Sequence, residues 1–456
     1  MKKESIYRLS FLQRRVFLKD TVFEQISNIL NQIHQVNYSE RFWSIILDPY
    51  AKALINDRDK LKNETNNLLI PAEICGNTLL PIKKTVRYLY FLKMVKYFKA
   101  IGHKNLIFES LKKHDVILTG FHDSYSVPDI PGCFVKPYYN FLPYIKINNK
   151  LRLPVKEMIT VEVEEFSGHF WNNAIKHMPK VYLEDFKRIY DSIPLINPKD
   201  KTFHISMLES TFMRILIAKY VENGSKLIYY QHGGFYGEYD YNSAHLYESS
   251  ISDKYMTWGW KMLPNDTPNY AHRLKFFIEK YNEIYKQQFK FDLVLVFPPV
   301  DAKMQFMIEA KDFFREIDRD KYKTICLRPR PVSKLNRKGE LVFFKDKDVY
   351  IDSGYIKLVN LIAVSKVVVQ FTYPSTNLFE CLSVNHPVVA LLENDRPSDI
   401  VKHHYEYLLS VGVFHLDIQS LVAHLNTVNV PEWWAGIISS EEYIAFKREF
   451  LNLKTD

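Results

Sequence analysis

The spacing of apolar residues divides the chain into a helical beginning and a longer part in which two spacings alternate. In the first 110 residues, apolar side chains recur every three or four positions, as in 22–36 and 42–55, which is typical of amphipathic helices. From about residue 114, short apolar runs such as Asp115–Thr119 alternate with stretches of helical spacing. The pattern predicts a helical extension over residues 1–110, followed by a β/α domain.

A second alternating series begins after the polar segment 282–290. The run Phe291–Pro299 is apolar except for Asp292 and predicts a buried first strand. The predicted elements that follow are a helix at 302–317, a strand at 323–327, a helix at 356–364, a strand at 366–371, a helix at 375–384 and a strand at 387–392. Strands that are connected through helices form parallel sheets.

These patterns predict an α/β fold of two Rossmann-like β/α domains that face each other across a central cleft. We place the first domain at 1–288, including its helical extension, and the second at 289–430. The tail, 431–456, has helical spacing and is long enough to pack back on the first domain.

Composition and charge narrow the classes of protein that fit. Of 456 residues, 47% are hydrophobic and 25% are charged, which excludes a mainly disordered chain. The net charge of +9 suits an anionic substrate, a membrane face or a nucleic acid. The four cysteines are far apart, and no apolar stretch reaches the roughly 18 residues of a membrane span. We expect a cytoplasmic protein. The basic, aromatic segment 86–99 is the candidate for peripheral contact with the inner membrane. The alternative interpretation of this segment is an ordinary surface helix.

A glycine cluster stands out in a chain that is poor in glycine. The predicted strand Lys226–Tyr230 runs directly into Gln231–Gly237, which holds three of the fourteen glycines. Histidine side chains ordinarily titrate near neutral pH, and His232 lies where the backbone can approach a ligand, so it is a candidate general base for an acceptor hydroxyl. We expect the rest of this loop to lie near the donor or the acceptor, which concerns Gln231, Gly233, Gly234 and Tyr236.

Two further acidic residues are candidates for the catalytic group. Glu209 is a second candidate base, although Ser206 and Glu209 also form the pattern of a capping box that would open a helix. His122 and Asp123 come just after the strand that ends at Gly120, at the edge where we expect the cleft. The sequence leaves open which of His232, Glu209 and Asp123 is catalytic.

The sequence predicts a phosphate site at Ser375 and Thr376. These hydroxyls lie in the first turn of a predicted helix that follows a strand and a short loop, and the N-terminus of a helix binds anions. Glu380 lies one helical turn further on, where a carboxylate could accept hydrogen bonds from ribose hydroxyls. The alternative is that Ser375 is an ordinary N-cap and Glu380 a surface charge. Arg328 and Arg330 follow another strand of the same sheet, and guanidinium groups suit phosphate; their alternative is a solvated loop.

The sequence predicts no metal and no cofactor. Two D-x-D triplets, 318–320 and 346–348, lie in charged stretches and are interpreted as solvated turns. The P-loop and the GxGxxG pattern are both absent, which argues against ATP hydrolysis and NAD chemistry.

Three segments resemble, in order and spacing, signatures of a transferase family found in bacterial lipopolysaccharide and surface-carbohydrate loci. They are Tyr38–Tyr50, Gln231–Gly237 and Ser252–Trp260. The second half also resembles the GT-B glycosyltransferase superfamily, in the Ser-Thr helix start, the glutamate after it and the step Asn385–Val389. This resemblance implies metal-independent sugar transfer.

A looser resemblance is to capsule and teichoic-acid transferases that use cytidine nucleotides. In those enzymes a His-Gly step supplies the base and an Arg-Pro-His-Pro segment grips phosphate. The resemblance implies that His232 is the base and that Arg328 binds phosphate, whereas Arg330 stands where that pattern has histidine.

The leading hypothesis is a GT-B glycosyltransferase that moves a sugar from a nucleotide sugar, with a CMP-activated sugar slightly favoured, to a glycan or glycolipid acceptor in bacterial surface-polysaccharide or lipopolysaccharide biosynthesis. One alternative is transfer of a phosphopolyol from a CDP donor. Another is a non-catalytic protein that binds RNA or membrane, which the net charge of +9 and the segment 86–99 favour. The leading hypothesis involves no nucleic acid.

Overall fold

The computed structural model describes most of the chain as two compact units. The first unit contains the described residues up to 121, those of 130–230 and those of 246–254, and the second contains those of 231–245 and 255–451. The described residues are 11–56, 105–121, 130–135, 148–152, 168–208, 210–234, 236–239, 242–284, 289–297, 303–328, 348–352, 356–371, 375–392 and 397–451.

The first unit is built on a parallel sheet. Its strands are β1 (Val116–Thr119), β2 (Cys133–Val135), β3 (Thr202–Ile205) and β4 (Lys226–Tyr230), in the order β2-β1-β3-β4. Its helices are Phe11–His34, Glu40–Asn56, Asn149–Arg152, Gly168–His177, Phe186–Asp191 and Thr211–Glu222, with most of Ser243–Ile251 and the 3-10 turns Lys180–Tyr182 and Pro198–Asp200.

The predicted helical extension is confirmed in its described part. The helix Glu40–Asn56 buries Phe42, Trp43 and Ile46 completely, as the three- and four-residue spacing requires. The buried Arg214 donates from Nη1 to Ile45 O at 2.9 Å, which links this helix to Thr211–Glu222. The predicted basic helix at 86–99 and the predicted strand at 156–163 lie outside the described residues.

The helix after β3 begins later than the sequence predicts. Ser206 and Glu209 have the spacing of a capping box, but β3 ends at Ile205 and the helix begins at Thr211. Its N-cap is Ser210, whose side chain accepts a hydrogen bond from Met213 N at 3.4 Å. The predicted capping box is therefore wrong, because a second serine four residues on caps the helix instead.

The second unit contains a six-stranded parallel sheet whose order matches the doubly wound dinucleotide-binding arrangement. The strands are β7 (Phe291–Val296), β8 (Ile325–Arg328), β9 (Tyr350–Ile351), β10 (Ser365–Gln370), β11 (Val388–Leu391) and β12 (Phe414–His415), in the order β12-β11-β10-β7-β8-β9. A short parallel pairing joins β5 (Lys254–Thr257) to β6 (Asp266–Pro268). The helices are His272–Ile284, Lys303–Glu316, Leu358–Ala363, Thr376–Ser383, Lys402–Ser410, Ile418–Thr427, Val430–Ile438 and Glu441–Phe450.

One face of this sheet carries a continuous apolar core. Leu293, Leu295 and Val369 are fully buried and pack with residues of the helices Lys303–Glu316 and Ile418–Thr427. The six elements predicted between 302 and 392 are all present and differ from the observed bounds by no more than two residues at either end. Runs of β-branched residues predict these strands well because a central parallel strand is buried on both faces.

The tail forms two helices, and its contacts described here lie within the second unit. Tyr443 Oη donates to Leu382 O at 2.7 Å, and Phe446 stacks on Phe379 with ring centroids 6.3 Å apart. The predicted packing of the tail on the first domain and the predicted boundary near residue 288 stay predictions. Among the described residues, no helix combines the length and the apolar character that crossing a bilayer requires.

Candidate active site

The start of the helix Thr376–Ser383 lies where parallel sheets of this kind bind ligands. The strands β8 and β9 follow β7 toward one edge of the sheet, while β10, β11 and β12 continue toward the other, so the winding reverses between β7 and β10. Ligands of doubly wound sheets bind at this point, beyond the carboxyl ends of the strands. Ser375 is the N-cap, and its hydroxyl accepts from Asn377 N at 3.1 Å.

The glycine loop, Gln231–Gly237, contacts this helix start directly. Gly234 N donates to Thr376 Oγ1 at 3.0 Å. A Cβ atom on Gly234 would lie 2.1 Å from Phe379 Cδ2 and 3.1 Å from Thr376 Cα, which is closer than real contacts allow. Glycine is therefore required at 234, because only a residue without a side chain lets the loop approach the helix this closely.

Gln231 shapes the loop from within. Its side chain is buried, and its Nε2 donates to Gly233 O at 2.7 Å while its Oε1 accepts from Trp258 N at 2.9 Å. Both ends of the carboxamide thus bond protein backbone. The predicted nearness of Gln231 and Gly233 to a substrate stays a prediction.

His232 is half-buried and is held by Tyr236 from the same loop. The Tyr236 hydroxyl lies 3.0 Å from His232 Nδ1 and 3.3 Å from Nε2. A hydroxyl has one proton to donate, so it can serve only one of the two ring nitrogens at a time. This contact fixes the orientation of the imidazole that the sequence predicts as a base.

Arg273 joins the loop to Glu380, and sequence reasoning missed it. It lies in the first turn of the helix His272–Ile284, where its Nη1 donates to His232 O at 3.3 Å and its Nε lies 3.4 Å from Glu380 Oε1. The Arg273 side chain is 38% exposed, whereas that of Glu380 is only 8% exposed. The alternative reading of Glu380 as a surface charge is therefore wrong. In the sequence, the residues around Arg273 show only the apolar spacing of a helix. No motif near Arg273 indicates that it contacts the loop or Glu380.

Arg328 occupies the predicted strand end, but it is already paired. It forms an ion pair with Asp352, with 11% of the Arg328 side chain and none of the Asp352 side chain exposed. Arg328 O also accepts from Phe297 N at 3.2 Å, which aligns the ends of β8 and β7. The guanidinium therefore has a neutralising partner before any phosphate arrives.

Several predicted residues cannot be placed. Arg330, Glu209, His122 and Asp123 lie outside the described residues, as do Phe235 and the segment between Phe371 and Ser375. The triplet Asp318–Asp320 is a turn, since Asp318 Oδ1 accepts from Asp320 N at 2.9 Å and from Lys321 N at 3.1 Å. The interpretation of this triplet as a solvated turn is confirmed.

The strand order is that of the doubly wound α/β class, whose members commonly bind phosphates or nucleotides at the point where the winding reverses. More specifically, the chain belongs to a transferase family, because the model of the LIC12162 family transferase matches residues 128–452. The predicted membership of a transferase family is confirmed. No curated protein matches the chain.

Three solved structures illustrate what the chain is similar to. A UDP-N-acetylglucosamine 2-epimerase is 11% identical over 75% of this chain and 97% of its own, with a TM-score of 0.39. The wall teichoic acid polymerase TagF is 10% identical over 80% and 94%, with a TM-score of 0.38. The pneumococcal O-GlcNAc transferase GtfA in complex with UDP and GlcNAc is 10% identical over 59% of each chain, with a TM-score of 0.29.

Proposed function

We propose that the protein is a metal-independent GT-B glycosyltransferase. It would move a sugar from a nucleotide-sugar donor, with a CMP-activated sugar slightly favoured, to a glycan or glycolipid acceptor of bacterial surface-polysaccharide or lipopolysaccharide biosynthesis. Membership of a transferase family supports the reaction type. The observation that carries the proposal is the 3.0 Å hydrogen bond from Gly234 N to Thr376 Oγ1, because it joins the loop of the candidate base to the candidate phosphate site.

The reaction assigns complementary roles to these two elements. His232 takes the proton of an acceptor hydroxyl, whose oxygen then attacks the anomeric carbon of the donor. The bond between that carbon and the phosphate oxygen breaks, and the phosphate leaves with the bonding electrons. The amide groups at the helix start, with the hydroxyls of Ser375 and Thr376, stabilise the negative charge that develops.

Arg273 adds a positive charge beside the same helix. Its guanidinium is more than one-third exposed, and its link to Glu380 is long at 3.4 Å. Arg273 therefore keeps donors for a phosphate, whereas Arg328 shares its charge with a fully buried carboxylate. We assign Arg273 a direct contact with the leaving phosphate. The sequence predicts that Arg328 and Arg330 bind the phosphate, but we now assign Arg328 to its ion pair with Asp352. Arg330 keeps its predicted contact with phosphate, and Glu380 its predicted contact with ribose.

The test is a thermal-shift panel of CMP, CDP, UDP, GDP and ADP, each with and without Mg²⁺. A ligand that binds the folded state raises the melting temperature by mass action. We expect selective stabilisation by one nucleotide, independent of Mg²⁺. An absence of any shift at millimolar nucleotide would overturn the proposed function.

Substitution of Arg273 tests whether the nucleotide binds at the candidate phosphate site. Arg273→Gln removes a charge-assisted contact and is expected to weaken binding of the selected nucleotide roughly tenfold, and Arg273→Lys by less. The matched control is Arg315→Gln, which replaces an exposed arginine of the same unit. This variant should bind the nucleotide as tightly as the native chain does. Product mass then identifies the group transferred, since only a phosphopolyol transfer adds phosphorus to the acceptor.

A further inference from the structure

A cluster of three metal-ligating side chains lies outside the candidate active site. His403 and His404 stand in the first turn of the helix Lys402–Ser410, and Glu449 stands near the end of the helix Glu441–Phe450. One ligand atom from each residue lies within 4.8 Å of the other two. His404 Nε2 and Glu449 Oε2 are 3.6 Å apart, and the two imidazole centroids are 3.7 Å apart.

His404 is the buried member of the cluster. The side chain of His404 is 3% exposed, and its Nε2 faces Glu449 Oε2 at 3.6 Å, which is beyond hydrogen-bond distance. Burial is the main cause that lowers the pKa of His404 to about 4; His403 acts in the same direction, and Glu449 opposes it. Neutral imidazole is the form that ligates metals.

The carboxylate of the cluster is ionised and oriented. Arg448 Nη2 lies 2.8 Å from Glu449 Oε1, and this hydrogen bond is the main cause that lowers the pKa of Glu449. The other oxygen, Oε2, is the one nearer to His404. Glu449 thus offers a negative oxygen toward the imidazole pair, although the charge of Arg448 works against a cation.

We propose that His403, His404 and Glu449 bind one divalent ion of the Zn²⁺ type. Two imidazoles and one carboxylate are a common Zn²⁺ ligand set, with water completing the coordination. The 3.6 Å separation of the His404 and Glu449 atoms is close to that of two ligands about 2.0–2.1 Å from one tetrahedral ion. His403 is exposed, so its side chain can rotate to complete the site.

The bound ion would stabilise the packing of two helices in the second unit. It would connect the helix Lys402–Ser410 to the helix Glu441–Phe450, where Phe446 contacts both His404 and Phe379. Phe379 belongs to the helix that begins at the candidate phosphate site. The role is structural and does not depend on the proposed function, whose reaction is expected to need no metal.

The experiment is calorimetric titration of the chelator-treated full-length chain with Zn²⁺, repeated with Co²⁺ to record the visible bands of tetrahedral coordination. We expect one equivalent to bind and the melting temperature to rise. His404→Gln and Glu449→Gln should each weaken binding by roughly tenfold or more. Glu406→Gln and Glu441→Gln, exposed carboxylates on the same two helices, are matched controls and should bind normally.

His232→Gln separates this site from the candidate active site, because it should leave the stoichiometry and affinity for Zn²⁺ unchanged. Far-UV circular dichroism checks that each variant folds. If His404→Gln does not fold, the exposed His403→Gln carries the test. The proposal is overturned if the native chain shows no saturable binding of one equivalent, or if the folded cluster variants bind Zn²⁺ as tightly as the native chain.

Discussion

Two strand ends of the second unit carry polar residues of the kind that bind phosphate, but they differ in what surrounds them. At the end of β8, Arg328 is 11% exposed and paired with a fully buried Asp352. Beyond β10, Thr376 is half-buried and bonded to a backbone N–H of the glycine loop, with the partly exposed Arg273 nearby. The two strand ends carry similar types of residue, but those residues differ in how accessible they are to a ligand. We expect substitutions at the first to act mainly on stability and those at the second on binding and turnover.

Asp352→Asn should give the largest effect and act on stability. It removes the negative partner of a nearly buried guanidinium, and loss of one member of a buried ion pair costs about 3–5 kcal/mol. The free energy of unfolding, measured by urea denaturation, is expected to fall by about 3 kcal/mol. The affinity of the folded variant for nucleotide should change little.

Exposed Asp320, in the same unit, provides the matched control, since Asp320→Asn should leave the free energy of unfolding within about 0.5 kcal/mol of the native value. The double variant Arg328→Met with Asp352→Leu should recover part of the loss, because an apolar pair can replace a buried ion pair. A large drop in nucleotide affinity for folded Asp352→Asn would instead show that the β8 end takes part in binding.

His232→Gln should give the largest effect at the other region, and it should act on turnover. Removal of a general base costs roughly a hundredfold or more in turnover, while nucleotide affinity and melting temperature stay close to native. The measurement is release of nucleotide from the donor that the thermal-shift panel selects. His114→Gln, in an exposed histidine of the first unit, is the control. Equal loss of turnover and of nucleotide affinity would remove His232 from the role of base.

The contrast between the two regions also shows how far sequence reasoning reaches. Apolar periodicity predicts β10 and the helix Thr376–Ser383 to within about two residues, because the apolar residues that a strand or helix buries are close together in the sequence. It also predicts where β7 begins, at Phe291, but β7 ends at Val296 and not at Pro299. The ion pair of Arg328 with Asp352 and the contacts of Arg273 join residues that are distant in the chain, and single-residue patterns do not show such pairing. The helix start at Thr211 was mispredicted for a local reason, since two serines compete to cap it.

Gly234→Ala tests whether the close approach of the glycine loop matters. The new methyl group would meet the buried ring of Phe379 at 2.1 Å and the backbone of Thr376 at 3.1 Å, so one of them must move. Overpacking of this kind costs about 1–3 kcal/mol. We expect this loss of stability together with weaker nucleotide binding, because the loop is pushed from the helix start. Urea denaturation and titration with the selected nucleotide measure the two effects.

Gly436→Ala is the matched control for this substitution. A Cβ atom at Gly436 meets nothing within 4 Å, and the residue lies in the helix Val430–Ile438. Alanine favours a helix over glycine by up to about 1 kcal/mol, so this variant should be neutral or slightly more stable. If Gly234→Ala behaves like Gly436→Ala, the loop does not depend on close contact with the helix start.

Thr376→Val should give the smallest effect and separates the hydroxyl from the shape of the site. Valine keeps the volume of threonine but leaves the buried Gly234 N–H without its acceptor, which costs about 1 kcal/mol. If the hydroxyl also contacts phosphate, nucleotide affinity should fall several-fold beyond what the loss of stability explains. Thr427→Val, whose exposed hydroxyl bonds only its own helix, is the control. Unchanged nucleotide affinity in folded Thr376→Val would limit Thr376 to holding the glycine loop, and phosphate binding at this strand end would then rest on the backbone N–H groups and Arg273.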